Sequence, residues 1–401
     1  MKTYKICYGR RQYPERRNII GKISGCSYVL SRNYYSHLYR VRNIIRKLRL
    51  YPAYLHDIEN KYYNFSLNSC DILHLFNAVS FGKTPWVSTF ETIIPRYKVS
   101  LSWRYTDGKK IQQDKQVRKA IKMLSSESCK RIIAISKCTA GMQEEFLSLF
   151  PDYREPILNK LTILPPPQEV VNAITLENKM SREKLYPIRF MLVGHQFFSK
   201  GGREVLQVFQ QGRSENDWPI ELVIVSKLST DSYASCTTQH DVRDVKNIIE
   251  ANKDWVSYYP SLLPDEVLRL MESCDVGLLP SYAETYGYSV LEFQSKACPV
   301  ITTNIRSFPE INNNDVGWLI DVPKQDNGEP KYQEPGDKEI IDKESISTAI
   351  SNGLYEIVGE LVDNPELIGL KARNALDRIL VQHSPEAYAR SLVEIYSAAI
   401  T

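Results

Sequence analysis

Short apolar runs and amphipathic segments alternate along most of the 401-residue chain. Apolar runs of strand length include CDILHLF, PWVSTF, RIIAIS and IELVIVS, while DKQVRKAIKMLSSES and DVRDVKNIIEANK have the spacing of amphipathic helices. Strands that alternate with helices are typical of a parallel sheet with helices on both faces. The hydrophobic pattern therefore predicts an α/β fold.

The alternation is interrupted over residues 165–187. This segment begins with PPPQEV, continues with polar residues and ends in a proline, after which IRFMLVG restarts the pattern. We therefore predict one domain over 1–168, a second over 185–375 and a C-terminal helix within 376–401. The polar stretch 321–345, rich in glycine, proline and charge, is predicted to be a surface loop.

Positive charge is concentrated near the N-terminus. The net charge of the chain is +4, but residues 1–50 hold thirteen Lys or Arg and one acidic residue, so this stretch carries +12 and the rest −8. Within it, YRVRNIIRKLRL places apolar residues on one helical stripe and Arg42, Arg46 and Arg49 off that stripe. The pattern favours an anionic partner, namely a membrane surface, a phosphorylated acceptor or nucleic acid, and a solvated helix face is the alternative.

Several protein classes are poorly supported by the sequence. No window approaches the roughly 18 uncharged apolar residues of a membrane-spanning helix, and the first residues lack the apolar core of a signal peptide. The eight cysteines are scattered without a C-x-x-C pair, as expected for reduced thiols in the cytoplasm. No D-x-D triplet, H-x-x-x-H pair or G-x-S-x-G elbow occurs, so we predict no metal site and no resident cofactor.

Two carboxylates flank a glycine in the stretch LPSYAETYGYSVLEF. Glu284 and Glu292 stand eight positions apart, with Gly287 between them. In a structural interpretation, Ser289 caps a helix, Glu292 closes a capping box and Glu284 is a solvated loop residue. In a functional interpretation, both carboxylates face a ligand. These residues alone leave the choice open.

A second candidate segment is FMLVGHQFFSKGGREVLQVF. Gly194 ends a predicted strand, and Lys200, Gly201 and Gly202 come immediately before a predicted helix. Glycines let a ligand approach the backbone, a helix start offers free N–H groups to an anion, and the lysine adds a positive charge. An ordinary loop with a surface lysine is the alternative.

Together these segments resemble the family 4 retaining glycosyltransferases. The stretch 279–311 is similar to the family's Pro-Ser-x-x-Glu-x-x-Gly block, whose two glutamates stand eight apart and which is followed by a Pro-Val strand and a Pro-Glu pair. The matching residues are Pro280, Ser281, Glu284, Gly287, Glu292, Pro299, Val300 and Glu310. The resemblance implies the GT-B fold, in which two Rossmann-like domains face each other across a cleft and the C-terminal helix crosses back to the N-terminal domain. The N-terminal half fits in outline only.

The resemblance also implies roles for individual residues. The implied catalytic residues are Lys200 and His195, which compensate the charge of a donor diphosphate, Glu284, which contacts the transferred sugar, and Glu91, at the sugar-facing edge of the N-terminal domain. Glu292 would accept hydrogen bonds from the ribose. The other implied donor-binding residues are Gly287, Thr285, Tyr286, Tyr288, Ser289, Gly194, Gly201 and Tyr258. The family usually has arginine in place of His195 and often histidine in place of Glu91. Donor identity is the property that these changes would affect most.

The implied function is metal-independent, retaining transfer of a hexose from a nucleoside diphosphate sugar, of UDP or GDP type, to an acceptor hydroxyl. The acceptor would be a glycan or lipid-linked glycan in polysaccharide or glycoconjugate biosynthesis. The chain would act in the cytoplasm or peripherally on the inner face of a membrane, without a nucleic-acid partner. One alternative is a nucleotide-sugar-processing enzyme, such as an epimerase, of the same two-domain form. Another is a non-catalytic, basic membrane- or nucleic-acid-binding protein with a degenerate site.

Overall fold

The computed structural model describes residues 3–36, 38, 57–65, 67, 70–104, 106–170, 187–231, 234–235, 237–330 and 343–400. The chain divides into two compact units. The first unit comprises Met1–Pro167 together with His383–Thr401, and the second unit comprises Gln168–Gln382. Each unit contains a parallel sheet flanked by helices, so the predicted α/β class is confirmed.

The first unit is built on a six-stranded parallel sheet, and it also contains a separate pair of short strands. Its strands are β1 (Lys5–Tyr8), β2 (Ser27–Leu30), β3 (Lys61–Tyr62), β4 (Ile72–Phe76), β5 (Val79–Ser80), β6 (Trp86–Phe90), β7 (Cys129–Ala134) and β8 (Leu161–Ile163). Its helices include α1 (Tyr13–Asn18), α2 (Lys98–Leu101), α3 (Gly108–Gln113), α4 (Lys115–Ser125), α5 (Lys137–Leu147) and α6 (Pro151–Leu158), with a 3-10 turn at Ile58–Asn60. The sheet has the order β2-β1-β4-β6-β7-β8, and β3 pairs with β5 separately. Strands β4 and β6 are buried along their whole length, which explains why ILHLF and WVSTF are mostly apolar and contain no Lys, Arg, Asp or Glu.

The second unit is built on another six-stranded parallel sheet. Its strands are β9 (Ile188–Gln196), β10 (Ile220–Lys227), β11 (Val256–Tyr259), β12 (Val276–Leu279), β13 (Val300–Thr303) and β14 (Trp318–Ile320). Its helices are α7 (Gly202–Asn216), α8 (Gln239–Ala251), α9 (Pro264–Ser273), α10 (Tyr288–Gln294), α11 (Phe308–Ile311), α12 (Lys343–Asp363) and α13 (Glu366–Gln382), with a 3-10 turn at Phe198–Lys200. The strand order is β11-β10-β9-β12-β13-β14. Counted along the chain this is 3-2-1-4-5-6, the order of dinucleotide-binding sheets.

The last helix, α14 (Pro385–Ile400), packs on the sheet of the first unit. Its Tyr396 lies 2.6 Å from Nδ1 of His74, whose Nε2 lies 2.8 Å from the Thr89 hydroxyl. Burial lowers the pKa of His74 to about 3, so the ring is neutral where it joins the helix to the sheet. Residues 376–382, expected to belong to this returning segment, instead complete α13, because Leu376 and Ile379 are buried in the second unit.

The predicted basic helix YRVRNIIRKLRL, with Arg42, Arg46 and Arg49, lies outside the described residues. Among the helices of the described ranges, none combines the length and the apolar character that crossing a membrane requires.

Candidate active site

Strands β9 and β12 lie side by side at the centre of the second sheet, although they are far apart in sequence. From β9 the chain continues to β10 and β11 on one side, and from β12 it continues to β13 and β14 on the other. The strand order therefore reverses between β9 and β12. In open parallel sheets, ligands bind outside the carboxyl ends of the strands at such a switch point.

Glycines bring the segment after β9 close to the end of β12. Gly201 has a φ of +71°, and a Cβ at this residue would lie 2.3 Å from the carbonyl oxygen of Pro280. A Cβ on Gly194 would lie 2.9 Å from Cγ of Lys200. The absence of a side chain at Gly194 therefore gives the stem of Lys200 its place beside the strand end.

Lys200 and Glu284 form an ion pair across the switch point. Nζ of Lys200 lies 2.5 Å from Oε2 of Glu284, and the side chains are 16% and 18% exposed. The N–H of Thr285 donates to the other carboxylate oxygen at 2.9 Å. Burial raises the pKa of Glu284, but the charge and hydrogen bond of Lys200, the Thr285 N–H and the charge of Arg306 outweigh it, so the pKa lies below the usual value. Glu284 is therefore an ionised hydrogen-bond acceptor at neutral pH.

A buried network behind this ion pair joins its two segments. The Tyr282 hydroxyl donates to Oε1 of Glu204 at 2.8 Å, and Oγ of Ser347 donates to the same oxygen at 2.9 Å. The N–H of Tyr282 also donates to the carbonyl oxygen of Ser199 at 3.0 Å. These bonds fix the loop after β12 against the turn after β9. Glu204 was not among the predicted site residues. In the sequence it is marked only by its position, a carboxylate on the buried face of α7.

The turn before α10 has a left-handed residue at its end. Gly287 has a φ of +94° and occupies the N-cap position, and a Cβ there would lie 2.6 Å from the ring of Phe308. The interpretation in which Ser289 caps this helix is wrong, because the helix already begins at Tyr288 and no side chain caps it. The capping box that would have made Glu292 a structural residue is therefore absent at this helix. Glu292 is half-buried on α10.

A second ion pair lies beside the loop after β13. Nε of Arg306 is 2.8 Å from Oε1 of Glu329, and Nη2 donates to Oε2 at 2.8 Å. Residues 321–330 form a loop in which Asp321, Lys324 and Asp326 are exposed, as predicted, but the side chain of Glu329 is only 6% exposed and residues 343–345 belong to α12. Oγ of Ser307 donates to the carbonyl oxygens of Thr285 and Tyr286 at 3.2 Å each, which connects this loop to the turn that carries Glu284.

Other predicted donor-site residues lie at neighbouring positions. His195 is exposed near the end of β9. Tyr258 lies in β11, where burial raises the pKa of its hydroxyl despite a hydrogen bond from the Leu228 N–H. Tyr286 is buried, with its ring centroid 5.2 Å from that of Tyr288. The structure thus places Lys200 against Gly194 and Glu284, Thr285 against Glu284 and Gly201 against Pro280. His195 and Tyr258 lie on neighbouring strands of the same sheet, β9 and β11 respectively.

Two buried hydroxyls lie at the same edge of the sheet. Ser226 stands near the end of β10, and Ser281 follows β12. Neither hydroxyl has a hydrogen-bond partner within the part of the chain that the structure describes. Buried polar groups are normally satisfied, so both are candidates for contact with a ligand. From the sequence, Ser281 was identified only as a motif match.

Glu91 lies in the first unit, after β6. Its carboxylate pairs with Arg96 and accepts a hydrogen bond from Nδ2 of Asn77 at 3.1 Å. Its N–H donates to Oδ1 of Asn77 at 3.1 Å, and its carbonyl oxygen accepts from the Thr139 hydroxyl at 3.1 Å. The residue is therefore fixed at both its backbone and its side chain.

The first unit also contains a cavity of about 240 Å³ beyond the carboxyl end of β1. Gly9, Arg10, Asn33, Tyr35 and Glu59 contribute to its wall. The lining combines a guanidinium, a carboxylate, an amide and an aromatic ring, which suits a ligand with several hydroxyl groups. Residue patterns alone did not indicate this cavity, since its residues come from three separate segments.

Comparison with known proteins supports a class for this chain. Residues 177–329 match the family model described as glycosyl transferases group 1, and this stretch lies within the second unit. A curated relative, D-inositol 3-phosphate glycosyltransferase of Paenarthrobacter aurescens, is 28% identical over 106 residues. That match covers 26% of this chain and about a quarter, 24%, of the relative.

Solved structures with the same fold align over nearly the whole chain. HepE of Anabaena in complex with UDP-glucose has a TM-score of 0.58 at 12% identity, with 98% of this chain and 100% of that chain covered. Sucrose-phosphate synthase of Thermosynechococcus elongatus has a TM-score of 0.55 at 12% identity, with 98% and 88% covered. The fold is that of the GT-B glycosyltransferases, and together with the family match it supports a glycosyltransferase.

Proposed function

We propose that this chain is a retaining, metal-independent hexosyltransferase, which moves a sugar from a UDP- or GDP-type donor to a hydroxyl of a glycan or lipid-linked glycan. The observation that carries this proposal is the Lys200–Glu284 ion pair at the switch point of the second sheet. It places a cation and an ionised acceptor where a ligand of such a sheet binds. The curated relative and the solved structure that holds UDP-glucose add support for a nucleotide-sugar donor.

Lys200 would act on the leaving group. When the bond between the sugar C1 and the donor phosphate breaks, negative charge grows on the diphosphate. Nζ of Lys200, half-buried and already placed by Gly194 and Gly201, would turn from Glu284 to that charge. An electrostatic donor in such a position is worth about 2.7–4 kcal/mol of transition-state stabilisation. A cation of this kind supplies the charge compensation that a metal ion supplies in other transferases.

The proton of the acceptor would leave with the diphosphate. As C1 forms its new bond to the acceptor oxygen, the hydroxyl proton passes to the departing phosphate oxygen on the same face of the sugar. Attack and departure on one face retain the configuration at C1, and no separate base is needed. Glu284 would meanwhile accept hydrogen bonds from hydroxyls of the transferred sugar.

The nucleoside would be held by α10 and the neighbouring strand ends. Glu292, which closes no capping box, would accept hydrogen bonds from the two ribose hydroxyls. The buried hydroxyls of Ser226 and Ser281 would be satisfied by the donor. Backbone N–H groups from Thr285 to Ser289 would contribute to binding of the diphosphate.

The acceptor would use the first unit. The cavity beside Arg10 and Glu59 has the mixed polar and aromatic lining that suits a sugar. Glu91 would contact the reacting part of the acceptor or the transferred sugar. Peripheral binding to an anionic membrane by the basic N-terminal stretch would bring a lipid-linked acceptor within reach. Vesicle flotation tests this last point, since binding should require anionic lipid and should be lost at high salt.

Acceptor-dependent release of nucleoside diphosphate tests the proposal as a whole. Thermal-shift screening of UDP-, GDP-, ADP- and TDP-sugars would first identify the donor. A transferase should then release nucleoside diphosphate at a high rate only when a glycan acceptor is present. Conversion of the donor into another nucleotide sugar would instead indicate the epimerase alternative, and an absence of any nucleotide binding would favour the non-catalytic one.

A further inference from the structure

Glu204 is a carboxylate on the buried face of α7, where the other buried residues are glycine or apolar. Its side chain is 1% exposed. Its Oε2 atom has no hydrogen-bond partner among the residues that the structure describes. Burial of a carboxylate is costly, and an apolar side chain of similar size would fill the same space without that cost. Stability alone therefore does not account for a glutamate at this position.

Three segments meet at the other oxygen of this carboxylate. The Tyr282 hydroxyl, from the loop after β12, donates to Oε1 at 2.8 Å, and the Ser347 hydroxyl, from α12, donates to it at 2.9 Å. Nε of Arg203 lies 3.4 Å from the same oxygen, while its Nη1 lies 3.3 Å from Oδ1 of Asp241. Glu204 thus joins the start of α7 to the β12 loop and to α12 at a single atom.

Tyr282 connects Glu204 to the ion pair of the candidate site. Glu284 follows Tyr282 by two residues, on the same loop. The Tyr282 N–H donates to the carbonyl oxygen of Ser199 at 3.0 Å, and Ser199 immediately precedes Lys200. Tyr282 is therefore held at its backbone by the turn that carries Lys200 and at its side chain by Glu204. The contact of 2.5 Å between Lys200 and Glu284 depends on this attachment.

We propose that Glu204 is a positioning residue, which holds the loop after β12 through Tyr282 so that Glu284 and Lys200 are in contact before a donor binds. Charged groups stabilise a transition state most when they are already in place, because no reorganisation is then needed during the reaction. The kinetic consequence rests on the proposed function, since it assumes that Lys200 and Glu284 act on a nucleotide sugar.

The titration of Glu284 tests the inference without any ligand. Burial raises the pKa of Glu284, but the charge and hydrogen bond of Lys200, together with smaller effects, outweigh it, so the pKa lies below its usual value. If Glu204→Met frees the loop, Lys200 is less often at Glu284, and this carboxyl group should titrate at a higher pH. NMR of protein labelled at the glutamate carboxyl carbons measures the titration. Glu284→Gln identifies the signal by its loss.

Two milder variants separate the hydrogen bond from the packing around it. Tyr282→Phe removes only the hydroxyl and should move the titration of Glu284 in the same direction as Glu204→Met. Glu204→Gln keeps an oxygen that accepts from Tyr282 and should titrate close to the wild type. Tyr355→Phe is the matched control, because the Tyr355 hydroxyl accepts from Nδ2 of Asn216 at 2.8 Å at the other end of α7. It should leave the titration of Glu284 unchanged.

The kinetic effect should appear in kcat and not in nucleotide affinity. Tyr282→Phe should lower kcat for release of UDP from UDP-glucose by about fivefold, the effect of one lost hydrogen bond. The Kd for UDP should remain within about twofold of the wild type, because Tyr282 holds the loop and does not contact the nucleotide. In a Lys200→Ala background the same substitution should cause no further loss, since the contact that it protects is already absent.

An unchanged titration of Glu284 in both Glu204→Met and Tyr282→Phe would overturn this inference, whatever the change in kcat. A lower Tm with normal titration and normal kcat would also overturn it and would make Glu204 a residue of stability alone. If the chain binds neither UDP nor GDP, the proposed function fails, whereas the titration still decides whether Glu204 positions the ion pair. Should Glu204→Met not fold, Tyr282→Phe, which removes a single oxygen atom, decides the question.

Discussion

Glu284 and Glu91 each follow a buried strand of a parallel sheet, and each pairs with a cation, but the two pairs are built differently. The partner of Glu91 is Arg96, five positions further along the same loop, and Asn77 bonds to both its backbone and its side chain. The partner of Glu284 is Lys200, 84 positions earlier in the chain. The first pair is local, and the second joins two strands that only the fold brings together.

Both glutamates are proposed to contact substrate, and the difference in how each is held gives each proposal its own test. A local pair in which every polar group is satisfied stabilises the loop that contains it. A long-range pair at the switch point places opposite charges where the sheet receives a ligand. A ligand with its own charge can then exchange partners with the pair. Variants of the two glutamates and their neighbours test whether the distinction holds.

Loss of Lys200 should have the largest effect. Lys200→Ala is expected to lower kcat by about 10²–10³-fold, the range seen when one charge-stabilising donor is removed from an active site. Lys253→Ala is the control, because Lys253 is an exposed lysine of the same unit that pairs with Glu250. The measurement is release of nucleoside diphosphate at saturating donor. Equal rates for the two variants would contradict the role of Lys200.

Replacement of Glu292 should weaken nucleotide binding without loss of stability. A hydrogen bond to a charged group is worth about 1.5–3 kcal/mol, so Glu292→Gln should raise the Kd for UDP by about tenfold or more. Glu266→Gln is a matched control, since Oε2 of Glu266 accepts a hydrogen bond from the Leu263 N–H at 2.8 Å at the start of α9. The control should lower the Tm and leave the Kd unchanged. The opposite result for Glu292→Gln, a lower Tm with normal UDP affinity, would show a structural residue.

Glu91 offers a direct test of the comparison. If it contacts the acceptor or the sugar, Glu91→Gln should lower the acceptor-dependent rate by about tenfold, the loss of one charge-assisted hydrogen bond, with the Kd for UDP unchanged. Arg96→Gln, which removes the partner of Glu91 but keeps the carboxylate, controls for damage to the loop. If both variants lose the same amount of Tm and both keep full activity, Glu91 only supports its loop.

The parts of the fold that were predicted correctly have a strong local signal. Strands β4, β6, β9 and β10 lie in the mostly apolar runs CDILHLF, PWVSTF, IRFMLVG and IELVIVS, and α14 lies within the predicted range 376–401, although it begins only at Pro385. In contrast, β2 was missed: Ser27–Leu30 is a short, mostly exposed strand at the edge of the sheet, where it pairs with β1. Helix α6 was also missed; Pro151 stands at its start, which suits a helix, but Pro156 lies inside it, where proline is rare.

Only the part of the candidate site that lies within sequence motifs could be predicted. Lys200, Glu284 and the glycines lie in motifs that the sequence displays, so they could be named before the fold was known. Glu204 and the Arg306–Glu329 pair depend on contacts between distant segments. No spacing rule links position 204 to 282 or 306 to 329, because these pairs meet through strand order and loop packing. In the sequence, polar residues whose partners lie in distant segments cannot be told from ordinary surface residues.

The last expected effect is on stability and not on activity, and it concerns the junction of α14 with the first sheet. Burial lowers the pKa of His74 to about 3, from 6.5 for the free side chain, so the unfolded chain binds a proton that the folded chain excludes. The stability that His74 contributes is therefore complete at pH values above its pKa in the unfolded chain. It declines as the pH falls towards its pKa in the folded chain. Between pH 7.5 and pH 5 the free energy of unfolding should decrease by about 2 kcal/mol through His74 alone. Urea unfolding of the wild type and of His74→Gln at both pH values measures the difference, and His240→Gln, at an exposed histidine, is the control. The decrease should be smaller in His74→Gln by that amount, while equal decreases in all three proteins would show that the imidazole between Tyr396 and Thr89 is not excluded from protonation.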